Sequence, residues 1–198
     1  MGRTREAPLA GAARAVAKYG ARKTTMGDIA MLAGIAKATL YNHFRTKPDV
    51  YRATVAAEVD AIATAATARL DQGMEAALAE AARLVGEHPA VRKIAAGEPE
   101  TLAALASIGD GTAWKAAHDH VAEAIRAAGF DDGPASVDLV LRYLASQLLT
   151  PSDDAARVGE TRLLAAALGC SPRAVAPPVG IAGTSTSLDP PPPRQPIV

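Results

Sequence analysis

Two short signatures, Thr25-Met26-Gly27-Asp28 and Thr46-Lys47-Pro48-Asp49, flank a lone glycine, Gly34, in the first quarter of the chain. In each, a hydroxyl three residues before a carboxylate matches a capping box, in which two orphan backbone donors of a helix start are satisfied reciprocally. Pro48 falls in a first turn, where its missing N–H costs nothing. Gly34 ends whatever Thr25 begins. The stretch is therefore restricted to a short helix, a tight turn, a second short helix from about Lys37 to Phe44, and a long helix after Thr46.

The rest of the chain extends this pattern. A first helix is expected from about Pro8 to Tyr19, with Pro8 in its first turn and Gly20 closing it. Leu9, Ala12, Ala13 and Val16 form its buried stripe. The long helix should run to Leu70 or Asp71 and close near Gly73. Further breaks fall at His88-Pro89, Gly97, Pro99, Gly109 to Gly111, Gly129, Gly133-Pro134, Pro151 and Gly169. Asp132 and Ser152 are the expected caps of the last two helices. Leu163, Leu164 and Leu168 make the apolar stripe of the final one. Alanine dominates and aromatic residues are only 4%, which favours helix over a β-sandwich or barrel. The expected fold class is all-α, with nine or ten helices.

Charge is unevenly distributed. The formal net charge is zero, yet residues 1–52 hold ten Lys/Arg against three acids, and the remainder 11 against 18. A basic head on an acidic body suits a polyanion at one end only. No apolar run is long enough for a transmembrane helix, no signal core follows the N-terminus, and a lone Cys170 excludes an internal disulfide. A cytoplasmic protein is expected, with no membrane partner. Residues 171–198 carry eight of the 14 prolines, including Pro190 to Pro193, and read as a disordered tail. The expected domains are a head at 1–52, a helical body at 53–170 and this tail.

Two short helices joined by a glycine turn read as a helix-turn-helix, whose second helix enters the major groove. Leu40 and Phe44, four residues apart, face the core. Lys37 can reach a phosphate or guanine, Thr39 offers a hydroxyl and a methyl, and Asn42 can read adenine if it points into the groove. Tyr41 and His43 can donate to phosphates. Ala36 and Ala38 are small enough for close approach of the backbone. Thr25 and Lys47 stand at helix starts, which favour phosphate. Other assignments stay open: Tyr41 can pack against the first helix, and Asn42 can lie on a solvated face. His43 has no second ligand at metal-binding spacing.

Taken together, residues 9–52 resemble the DNA-binding domain of the TetR family. The resemblance rests on Thr24-Thr25, Ile29-Ala30, Ala33-Gly34-Ile35-Ala36, Ala38-Thr39-Leu40-Tyr41-Asn42-His43-Phe44 and Thr46-Lys47-Pro48. It implies that Lys37, Thr39, Tyr41, His43 and Lys47 touch DNA, with Thr25 on a phosphate. Ala36 departs from the family's usual serine and removes a cap. Val16 stands where phenylalanine is frequent. The resemblance further implies a homodimer joined by the last two helices, a palindromic duplex operator, and a small-molecule effector enclosed by residues 74–128. Candidate walls of that pocket are Met74, Leu78, Leu102, Leu105, Trp114, His118, Val121 and Phe130, with Trp114 and His118 its candidate ligand contacts. Repression released by a small apolar ligand is the family's usual mode; a body that answers to a protein partner is the alternative. No catalytic motif, metal set or cofactor fingerprint occurs, so neither enzyme activity nor a cofactor is expected.

Overall fold

The computed structural model of the protein describes residues 3–107 and 111–169. Cys170 and the proline-rich segment lie outside them. Among the described residues there are ten α-helices and no strand.

The head comprises α1 (Arg3–Tyr19), α2 (Met26–Ala33) and α3 (Lys37–His43). Ala12, Ala15, Ile29, Leu40, Phe44 and Val50 form its buried core. Small residues let the helices approach closely. A Cβ at Gly11 would lie 2.6 Å from that of Ala33, so α1 and α2 cross in contact at the one side chain that is absent. Both expected capping boxes are present, at Thr25/Asp28 and Thr46/Asp49. Gly34 closes α2 at φ +68°, a region that L side chains disfavour. Pro8 differs from expectation: α1 begins at Arg3, so Pro8 lies inside the helix and is buried.

α4 (Lys47–Thr67) leaves the head and crosses into the body without a break, so the expected boundary at 52/53 falls inside one helix. A short 3-10 turn at Leu70–Gln72 and Gly73 (φ +102°) end this segment. The body adds α5 (Met74–Gly86), α6 (Pro89–Ala95), α7 (Pro99–Ala106), α8 (Thr112–Ala127), α9 (Pro134–Leu149) and α10 (Asp154–Gly169). Its main core joins Met74, Leu78, Ile125, Val137, Leu141 and Leu168. A smaller core at the seam joins Val16 and Ala21 of the head to Ala90, Ile94 and Leu102 of the body.

Two expected caps are corrected. Gly133, not Asp132, precedes α9, because Asp132 pairs with Arg126 at 2.6 Å. At α10 it is Asp153 that accepts the Ala156 N–H at 2.8 Å, while the Ser152 hydroxyl donates to Glu160 at 2.6 Å. Leu163 leaves the expected buried stripe and is 73% exposed, whereas Leu164 and Leu168 are buried.

Candidate nucleic-acid interface and body cavity

The second short helix is presented outward. Leu40 and Phe44 anchor α3 to the head core, at 0% and 4% exposure. That fixes the opposite face. Lys37, Ala38, Tyr41, Asn42 and His43 are exposed, and Thr39 is half-buried. The Lys37 ammonium lies 6.0 Å from the centre of the Tyr41 ring, a cation–π distance that sets both side chains on one side of the helix. Ala36 precedes α3 with extended backbone and no side-chain cap. Arg45, exposed in the turn after α3, adds a cation that the motif pattern alone does not single out. Arg22 and Lys23 are exposed in the α1–α2 turn.

The two candidates at helix starts are differently placed. The Thr25 hydroxyl donates to Asp28 Oδ2 at 2.6 Å and accepts the Asp28 N–H at 3.2 Å. The Thr25 hydroxyl first, and then the Thr25 N–H, which donates to the same oxygen at 2.9 Å, hold the Asp28 carboxyl below its ordinary range. Lys47 also turns inward. Its ammonium donates to the carbonyls of Ala21, Arg22 and Thr24 at 3.2, 3.2 and 3.0 Å, which uses all three of its N–H groups. In this arrangement the side chain expected on a phosphate ties the α1–α2 turn to α4.

In the body, α4 to α9 surround a cavity of about 440 Å³, with Val16 and Ala21 of the head on one wall, a volume typical of small-molecule sites at ~300–1,000 Å³. Met74, Leu78, Leu105, Trp114 and Val121 line it as expected; Leu102, Phe130 and His118 do not. His118 is exposed beside Asp119, and His120, two residues on, takes the position on the wall. Residues two apart on a helix point in different directions, so the packing of α8 on α4 decides between them. Among the described residues no Lys or Arg lines the cavity. Its carboxylate, Glu58, accepts a hydrogen bond from His88 Nε2 at 3.3 Å. That bond holds the Glu58 carboxyl below its usual value against the opposing effect of burial.

Among the described residues no His/Cys/Asp/Glu group could hold a metal ion, and no helix is long and apolar enough to cross a membrane.

A helix-turn-helix head with an uncovered second helix, set on a hollow helical body, defines a class of DNA-binding transcriptional regulators. Residues 9–54 match the family of bacterial regulatory proteins, tetR family, so the head is a DNA-binding domain of the TetR type. Solved structures share the fold across the body as well. The TetR family repressor AlkX from Dietzia sp. strain DQ12-45-1b is 19% identical, with 83% of this chain and 95% of that one covered and a TM-score of 0.65. A regulator from Shewanella sp. PV-4 is 19% identical over 83% and 97% of the two chains, at a TM-score of 0.55. AibR, solved with isovaleryl coenzyme A and operator DNA, is 21% identical over 82% and 98%, at 0.52. No curated protein matches the chain in sequence.

Proposed function

We propose that this regulator is a dimeric repressor that reads a twofold-symmetric operator with α3 and leaves it when an uncharged aliphatic molecule fills the body cavity. The observation that carries the first half is the free outer face of α3, where Lys37, Thr39, Tyr41, Asn42 and His43 surround a small-residue approach at Ala36 and Ala38. In this reading Lys37 and Thr39 face base edges, and Tyr41, His43 and Arg45 position the head on phosphates. Thr25 contributes through the backbone start of α2, its hydroxyl remaining with Asp28.

Support for the dimer lies on the last two helices. Leu139 and Leu149 of α9 and Val158 and Leu163 of α10 are 43%, 54%, 47% and 73% exposed. Four of the six large apolar side chains that face solvent among the described residues are thus concentrated there, as a covered surface would require.

The effector reading rests on the cavity's chemistry. An anionic ligand would be buried beside the Glu58 carboxylate with no Lys or Arg among the described wall residues to pair with it, which is costly. A flexible, uncharged hydrocarbon chain suits walls made of Val, Leu, Ile, Ala and Met. AlkX is described as implicated in biodegradation of n-alkanes, which agrees with such a ligand. The cavity favours this over a body that answers only to a protein partner.

Selection of bound sequences from random duplexes tests the operator claim. A palindrome with two half-sites in register is expected; enrichment of no sequence overturns it. Adding 1-octanol to the selected complex should release the DNA, whereas octanoate should not.

A further inference from the structure

The α1–α2 turn is held from two elements. From α4, Lys47 binds three of its carbonyls, and Tyr51 donates to Ala21 O at 2.8 Å. From the body comes Glu98, the residue that opens α7. Its side chain is 8% exposed, and both carboxylate oxygens lie 3.1 Å from the Arg22 N–H. Thr101, one turn into α7, donates to the same carboxylate at 3.2 Å. The carboxylate fills the space above Gly20: a Cβ there would collide with it.

Glu98 forms no ion pair among the described residues, so neutral donors alone hold this buried carboxyl group. Such a group is sensitive to the loss of a single donor. Its supports sit on the cavity wall. Thr101 lines the cavity, as do Ile94, four residues before Glu98, and Ala21, next to Arg22. Glu98 thus touches the DNA-reading head on one side and the ligand-facing segment on the other.

We infer that Glu98 is a positioning residue that sets the head's orientation through the Arg22 amide and that carries cavity occupancy to the operator-reading helix. A ligand that pushes the Ile94–Thr101 segment outward withdraws the carboxylate, frees the α1–α2 turn and lets the head rotate away from its half-site spacing. This deepens the effector reading and rests on it only for the ligand arm.

The test is amide hydrogen exchange of the full-length protein, with operator affinity measured on the selected duplex. Glu98→Ala should raise exchange at Arg22 by ~tenfold or more while Ile29 and Leu40 stay protected. Operator affinity should fall with an unchanged salt slope, because no phosphate contact is removed. Glu98→Gln, which keeps one acceptor oxygen, should fall between. Unchanged Arg22 exchange and affinity in Glu98→Ala overturns the inference, and so does loss of protection throughout the head. If Glu98→Ala does not fold, Thr101→Val and Glu98→Gln carry the comparison, and wild-type protection at Arg22 in both overturns it.

In the ligand arm, Trp114 fluorescence reports whether 1-octanol enters the cavity. Entry should raise Arg22 exchange in the wild type as Glu98→Ala does. Entry that releases DNA while Arg22 stays protected overturns the coupling. If Trp114 shows no entry, the proposed effector class fails, and the variants alone decide the role of Glu98.

Discussion

The ammonium of Lys47 lies 3.0 Å from the carbonyl oxygen of Thr24, across the junction where α4 begins and the α1–α2 turn ends. With the bonds to Ala21 and Arg22, both at 3.2 Å, this contact places the residue's charge within the fold of the DNA-free chain. Lys47→Ala should therefore lower stability by about 1 kcal/mol, a fall in Tm of about 2–4 °C for a chain of this size. Affinity for duplex DNA should weaken because the turn loosens, but the slope of log affinity against log salt should stay that of the wild type. A slope shallower by about 0.9, the contribution of one phosphate contact, would return Lys47 to the DNA surface.

A second prediction concerns a missing cap. Ala36 stands before α3 with φ −65° and ψ 144° and contributes no side-chain bond. This backbone is the geometry from which a serine hydroxyl accepts the N–H of the second or third helical residue, here Ala38 or Thr39. Ala36→Ser should stabilise the head by about 1 kcal/mol, read as a rise in Tm. It should also tighten operator binding, because a pre-formed recognition helix loses less conformational freedom on docking. No change in Tm would mean that the new hydroxyl turns to solvent.

What the sequence makes legible divides along the range of the interactions. Thr25 with Asp28, Thr46 with Asp49, and Gly20 and Gly34 at positive φ are local chemistry within four residues, and the structure has each where the sequence places it. The buried pair Leu40 and Phe44 follows from helical period alone, and so does the exposed face opposite. Lys47 and Glu98 defeat local reading. At a helix start the one resembles a phosphate ligand, and beside a proline the other resembles a cap on a solvated loop. Their partners lie 23 and 76 residues away. The choice between His118 and His120 likewise depends on which face of α8 meets α4. Pro8 marks a helix in the sequence, but the turn preceding it has no local signal that separates a first turn from an interior one.

Acid sensitivity supplies a third prediction. Glu58 is held below its ordinary value of 4.5, first by the hydrogen bond from His88. The unfolded chain therefore takes up this proton at a higher pH than the folded one does. The pair's contribution is complete above the ordinary carboxylate value and is lost as pH falls through the lower folded value. Glu58→Gln should reduce the urea midpoint at pH 7, and the two midpoints should converge as pH drops below about 4. Asp28 and Asp49 are lowered too, by their capping hydroxyls, but they are common to both proteins and cancel in the difference. A deficit that stays constant with pH would separate Glu58's packing from its charge.

The final prediction addresses the exposed apolar face of α9 and α10. Leu163 follows the helical period of a core residue, yet it is the most exposed large apolar side chain among the described residues, at 73%. The monomer's own core is closed beneath it by Leu164 and Leu168. If a second copy covers this face through a twofold axis, any charge placed near the axis meets its own image, and like charges brought together in an interface cost several kcal/mol. Leu163→Glu should then convert the dimer to monomer by light scattering, with helical content and Tm measured at low concentration little changed. Operator binding should weaken far more on the two-half-site duplex than on a single half-site, because only the paired heads gain from simultaneous engagement. A Leu163→Glu protein that keeps the mass of a dimer would move the subunit contact off this face, and equal losses on both duplexes would show that the heads bind independently.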